Sequence, residues 1–101
     1  MSAFQDAMKD NHCWGCGADN PDGLHLKSRW DGEGSIAEWT ASPQHAAGPR
    51  HFLNGGVIAT LLDCHGVCTA IAAAYRTAGL DEIVLSGIRD GTQFTEIMNA
   101  V

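Results

Sequence analysis

The sequence predicts an α+β domain: one long helix packed against a short antiparallel sheet. Three observations predict it. Residues 57–75, "VIATLLDCHGVCTAIAAAY", form an apolar run followed by Gly79, which reads as a helix with a glycine stop. Leu24, Leu26, Ser28 and Trp30 alternate with His25, Lys27 and Arg29, the period of a half-buried strand. "DGEG" follows at 31–34, a hairpin turn signal.

Each element has its own justification. Residues 1–10 read as a short polar helix or a frayed end. Residues 11–23, "NHCWGCGADNPDG", carry Gly, Pro, Asn and Asp, the composition of a loop with turn chemistry; 1–23 is thus an N-terminal segment and loop. The hairpin covers 24–41, its second strand being "SIAEWTA" from Ser35. A loop with two prolines, 42–54, leads into the central helix at 55–77. In the tail, 80–101, "EIVLSG" reads as a short strand, "RDGTQ" as a turn and "FTEIMNAV" as a last strand or helical turn. There is no internal repeat, and 101 residues make one domain.

Composition narrows the function classes. The chain is 45% apolar and 18% charged, too apolar for a disordered protein. A net charge of -6 offers no basic face to nucleic acid. The helix run is long enough to span a bilayer, but Asp63 near its middle and flanks without a Lys/Arg bias argue for a core helix and against a membrane protein. The opening "MSAFQDAMKD" has no apolar core of the secretory kind, so the four cysteines read as reduced thiols of a cytoplasmic protein.

At about 100° per residue, Val57, Leu61, Cys64, Cys68, Ile71 and Tyr75 share one stripe of the helix. The opposite face holds Ala59, Asp63, Gly66, Ala70, Ala73 and Ala74. All but Asp63 are small, so a second subunit or a ligand could approach closely. Asp63 has two readings: a structural carboxylate bonded to backbone or hydroxyl groups, or a general base or nucleophile. "NGG" at 54–56 also has two. Asn54 is a good N-cap, and amides at Gly55 and Gly56 at a helix start suit an oxyanion. Nine residues separate Asn54 from Asp63, about 13 Å along a helix. If both serve one reaction, they come from different subunits. Asp63 and His65 are two apart and point about 160° away from each other, so they form no dyad in one chain; His65 reads as a packed, hydrogen-bonded histidine.

Cys13-x-x-Cys16 needs a second ligand pair to hold a metal. The candidates are Cys64 and Cys68, or His65, but the two cysteines lie on the apolar stripe, where free Cys acts as a small hydrophobe. No metal or cofactor is expected on this reading, and a zinc or thiol module built on Cys13 and Cys16 is the weakest of three functional readings.

Two segments carry a resemblance. "CWGCGADNPDGLHLK" at 13–27 is similar to the "CFGCGPDNPxGL" segment before the first strand in one branch of the hotdog-fold acyl-CoA thioesterases of the PaaI-like superfamily. "NGGVIATLLDCHG" at 54–66 resembles the helix start in that branch; together they cover about residues 11–78. The resemblance implies a hotdog-like fold, with a long helix wrapped by an antiparallel sheet that is incomplete in one chain. It implies a homodimer or tetramer with sites at the subunit interface, and hydrolysis of an acyl-CoA thioester. Asp63 would be the catalytic acid, and Gly55 and Gly56 the backbone donors to the thioester carbonyl. Asn54 stands where many members have His; an amide orients a carbonyl or water but shuttles no proton. His51, Thr60 and His65 complete the candidate site as substrate contacts. Family members continue after the helix with long strands, whereas 80–101 departs from their pattern, which implies a truncated or divergent member. The alternative is a non-catalytic hotdog-like protein that binds an acyl ligand or only oligomerises.

Overall fold

A computed structural model describes residues 2–79; the expected strands and turn of 80–101 lie outside them. Among the described residues the chain is α+β, with one helix and a two-stranded antiparallel sheet. Strands β1 (Ser28–Asp31) and β2 (Gly34–Ala37) pair from Ser28 opposite Ala37 to Asp31 opposite Gly34. The two-residue loop between them turns at Gly32, whose φ of +64° suits glycine because it has no Cβ to clash. Helix α1 (Gly55–Thr77) has the expected bounds. Its last turn closes at Gly79, where φ is +82° and the amide bonds to the Arg76 carbonyl at 3.1 Å, a left-handed stop.

The inward side of the alternation holds: Leu24, Leu26 and Ser28 are buried, while His25, Lys27 and Arg29 are exposed. The ladder, however, begins only at Ser28. His25 takes φ +56°, which breaks an extended strand. The amides of Leu24 and Leu26 bond instead to the carbonyls of Trp14 and Gly15, at 2.7 and 3.0 Å. The 13–17 loop is thereby held against this lead-in segment. β2 also stops early, at Ala37, and Trp39 then turns back to donate its indole N–H to the Leu24 carbonyl at 2.8 Å.

Of the two N-terminal readings the short helix holds, over four residues and with an apolar anchor. Phe4–Ala7 form a 3-10 turn with Phe4 and Gln5 buried. Phe4 meets Trp30 edge-on, ring centroids 5.0 Å apart, and the Arg76 guanidinium lies 4.6 Å from the Trp30 centroid on the other element. An apolar anchor of this kind needs no periodicity, so the single Phe in a polar decapeptide gave no pattern to read.

The core joins Phe4, Cys16, Leu26, Cys64, Cys68 and Ala72, with Met8, Trp30, Ala37, Trp39 and Leu61 packed around it. These residues come from the N-terminal turn, the loop, the sheet and one side of α1. That side is the predicted stripe: Val57, Cys64, Cys68 and Tyr75 are buried and Leu61 and Ile71 half-buried. Ala74, assigned to the opposite face by periodicity, is buried as well. α1 is long and apolar enough to cross a membrane, and its side bearing Cys64, Cys68 and Ala72 is covered by this core.

Candidate functional site

The loop before α1 is folded on itself. Ala46 and Leu53 form an isolated bridge, and the Asn54 amide donates to the His45 carbonyl at 2.9 Å. This fixes Asn54 at the helix start, where its Oδ1 accepts from the amides of Gly56, at 2.8 Å, and Val57, at 3.3 Å. Asn54 is therefore the N-cap, and the Gly56 donor is taken up by it. Gly55 and Gly56 are exposed, and among the described residues the Gly55 amide and the Asn54 side-chain Nδ2 make no hydrogen bond at this tip.

Asp63 is exposed and makes no hydrogen bond or ion pair among the described residues. Among the described residues the sheet, turn and loop cover the cysteine side of α1 and leave the small-residue face of Asp63 open. Ala59, Gly66 and Ala70 lie exposed around Asp63 on the same stripe. Ile58, Leu62 and Val67 flank it with 43%, 69% and 47% of their surface open. Among the described residues the result is an exposed strip of small and apolar side chains with one carboxylate in it.

The three expected substrate contacts sit apart. His51 is exposed beside Phe52, ring centroids 4.4 Å apart, in a shallow cleft shared with His45 and Arg50. Thr60 bonds back to the Gly56 carbonyl at 2.8 Å. His65 is half-buried with both ring nitrogens engaged: Nδ1 with Ser28 Oγ at 2.9 Å and Nε2 with Ser35 Oγ at 3.3 Å. Ser35 reaches on to Thr69 at 2.8 Å, and Ser28 to Gln5. His65 thus ties the helix to both strands, the packed histidine that its place between two serine-bearing strands allows.

The structure brings together a group that spacing set apart. The Sγ atoms of Cys13, Cys16 and Cys64 lie within 4.8 Å of one another. Cys13 and Cys64 are 3.7 Å apart, and Cys16 is 4.0 Å from Cys68. All four are free thiols. A hydrogen bond from Cys68, helped by the Asn11 amide, holds the Cys16 thiol down at about 5, against desolvation, while burial pushes that of Cys64 up. The bond to Cys16, then burial, pushes Cys68 up too. The signal was present in the sequence: Cys64 and Cys68 are four apart, so both face the same way on a helix, and the apolar stripe they belong to is the face the Cys-x-x-Cys loop packs against.

Comparison with family models, with curated proteins and with solved structures finds no match to this chain.

Proposed function

We propose that the chain is a hotdog-like, cytoplasmic subunit that hydrolyses an acyl-CoA thioester at an interface between two copies of itself. One observation carries the proposal: the uncovered strip of α1, in which Asp63 is set among Ala59, Gly66 and Ala70 and flanked by Ile58, Leu62 and Val67. An apolar strip of that length favours association, and small residues let a second helix or a bound acyl chain come close. A two-fold pairing would set Asp63 of one copy near the helix tip of the other, which spans the roughly 13 Å that separates the two in a single chain.

In this reading Asp63 takes a proton from water, and the hydroxide adds to the thioester carbonyl. The amide of Gly55 and the free Nδ2 of Asn54 stabilise the oxyanion from the opposite copy. Collapse of the tetrahedral intermediate expels the CoA thiolate, which receives the proton from Asp63. The products are a carboxylic acid and CoA thiol.

A second reading has its own observation. Asn54 caps the helix through Oδ1 and occupies the Gly56 amide, so the tip lacks the pair of backbone donors that an oxyanion hole uses. This favours a non-catalytic subunit that binds an acyl ligand or only oligomerises. Thioester hydrolysis measured on a panel of acyl-CoAs, with Asp63→Asn beside the wild type, separates the two. Activity lost in Asp63→Asn supports the hydrolase; a folded oligomer without activity supports the binding subunit. A folded monomer by sedimentation removes both.

A further inference from the structure

We propose that Cys13, Cys16, Cys64 and Cys68 bind a zinc ion that pins the 13–17 loop to α1. Thiolates around tetrahedral zinc, at Zn–S of about 2.3 Å, stand about 3.8 Å from one another. Cys13 to Cys64 at 3.7 Å and Cys16 to Cys68 at 4.0 Å match that edge, and each of these contacts crosses from loop to helix. Cys13, Cys16 and Cys64 cluster within 4.8 Å, and Cys68, in contact with Cys16, is the fourth thiol at the cluster.

The backbone around the thiols has the shape of a metal-binding turn. The Gly17 amide donates to the Cys13 carbonyl at 2.8 Å, closing a tight turn over the Cys-x-x-Cys pair. A Cβ on Gly17 would lie 2.4 Å from the Asn11 carbonyl oxygen and 2.4 Å from the Cys13 nitrogen, and a Cβ on Gly15 would lie 2.3 Å from Cys64 Sγ. Both positions are open only to glycine. Asn11 Nδ2 approaches Cys16 Sγ at 3.8 Å, an outer-shell donor of the kind that steadies a metal thiolate. Four sulfur donors without nitrogen or oxygen select a soft, tetrahedral ion, and zinc needs no redox partner.

The ion has structural work to do. Among the described residues about half of α1 is exposed and the core is small, so a staple between a loop and a helix some 50 residues apart in sequence would add much to stability. Cys16, Cys64 and Cys68 are buried and Cys13 is exposed, so the ion would sit at the edge of the core with one ligand at the surface, and four protein thiolates leave no open position for a substrate.

The test is metal analysis of the full chain purified without chelator, followed by cobalt(II) loading of the chelator-stripped, reduced protein. Expected are zinc equimolar with the chain, and on cobalt loading the sulfur-to-metal charge-transfer and tetrahedral ligand-field bands of four-thiolate coordination. Cys68→Ser should weaken the charge-transfer band and keep a three-thiolate spectrum. Iron in place of zinc overturns the assignment. So does a folded, reduced wild type that keeps no zinc and gives no cobalt bands. An unchanged spectrum in Cys68→Ser overturns the fourth ligand.

Discussion

Gly15 lies so close to Cys64 that a Cβ on the glycine would stand 2.3 Å from the cysteine Sγ and 2.8 Å from the Thr60 methyl. The φ of Gly15 is not positive, so its requirement is one of space. The loop backbone packs directly on helix side chains here because Gly15 has none of its own. Gly15→Ala should cost about 1–3 kcal/mol, the usual penalty of overpacking, read as a lower midpoint in urea with the slope unchanged. A variant as stable as the wild type would show that the loop sits off the helix.

Asn54 caps two amides at once, those of Gly56 and Val57. Asn54→Ala should cost about 0.5–2 kcal/mol. Asn54→Asp should retain most of the stability, since a carboxylate accepts the same bonds and favours the positive helix end. Thermal unfolding followed by circular dichroism measures both. Equal losses in Ala and Asp would mean that the side chain does something other than cap.

What the sequence made legible follows from local physics. The bounds of α1, its Asn54 cap and its Gly79 stop depend on neighbouring residues, and all three were readable. So were the inward Leu24, Leu26 and Ser28, which a period of two dictates. The start of the ladder was not, because it depends on where Trp14 and Gly15 carbonyls come to lie. Nor was the burial of Phe4, a lone tertiary contact. At the candidate site, the periodicity separated the apolar stripe that the chain covers from the small-residue face that carries Asp63, but it could not tell what, if anything, lies on that second face. Of the cysteine cluster only the shared facing of Cys64 and Cys68 was legible; that the Cys13–Cys16 loop docks on it was not, since the two halves are about 50 residues apart.

Phe4 is 3% exposed and stands edge-on to Trp30, interplanar angle 66°. Phe4→Ala removes the anchor of the N-terminal turn and should cost about 3–5 kcal/mol, the range for a buried aromatic. A small domain has about 5–15 kcal/mol in all, so the loss is large. Tryptophan fluorescence should shift as Trp30 gains solvent. Phe4→Leu, which keeps an apolar plug, should recover part of the loss. A neutral Phe4→Ala would mean that the first turn is docked by Gln5 alone.

Ser28 has 0% of its surface exposed, and it binds Gln5 and His65. Its hydroxyl is the meeting point of the N-terminal turn, β1 and α1. Ser28→Ala strands a Gln5 N–H and one His65 nitrogen, which should cost about 1–3 kcal/mol. In a double-mutant cycle with His65→Phe, the coupling should reach about 0.5–3 kcal/mol, measured by denaturant unfolding. Strict additivity would place His65 outside the network.

Asp6 is held below the ordinary carboxylate range first by its hydrogen bond from Lys27, then by the Ala3 amide. Because its folded pKa is lower than the unfolded one, near 3.9, ionised Asp6 favours the folded chain. That contribution is present in full above the unfolded value and disappears as pH falls through the folded value. The pair is half-exposed, 56% at Lys27 and 41% at Asp6, so screening limits it to about 1 kcal/mol or less. Wild type should therefore exceed Asp6→Asn by that small margin at neutral pH, with the gap closing in acid below the unfolded value and shrinking in high salt. Urea titrations of both proteins across acid pH measure it. A gap that persists or widens at low pH would mean that the Asn variant disturbs the turn itself, and that the Lys27 ion pair contributes nothing.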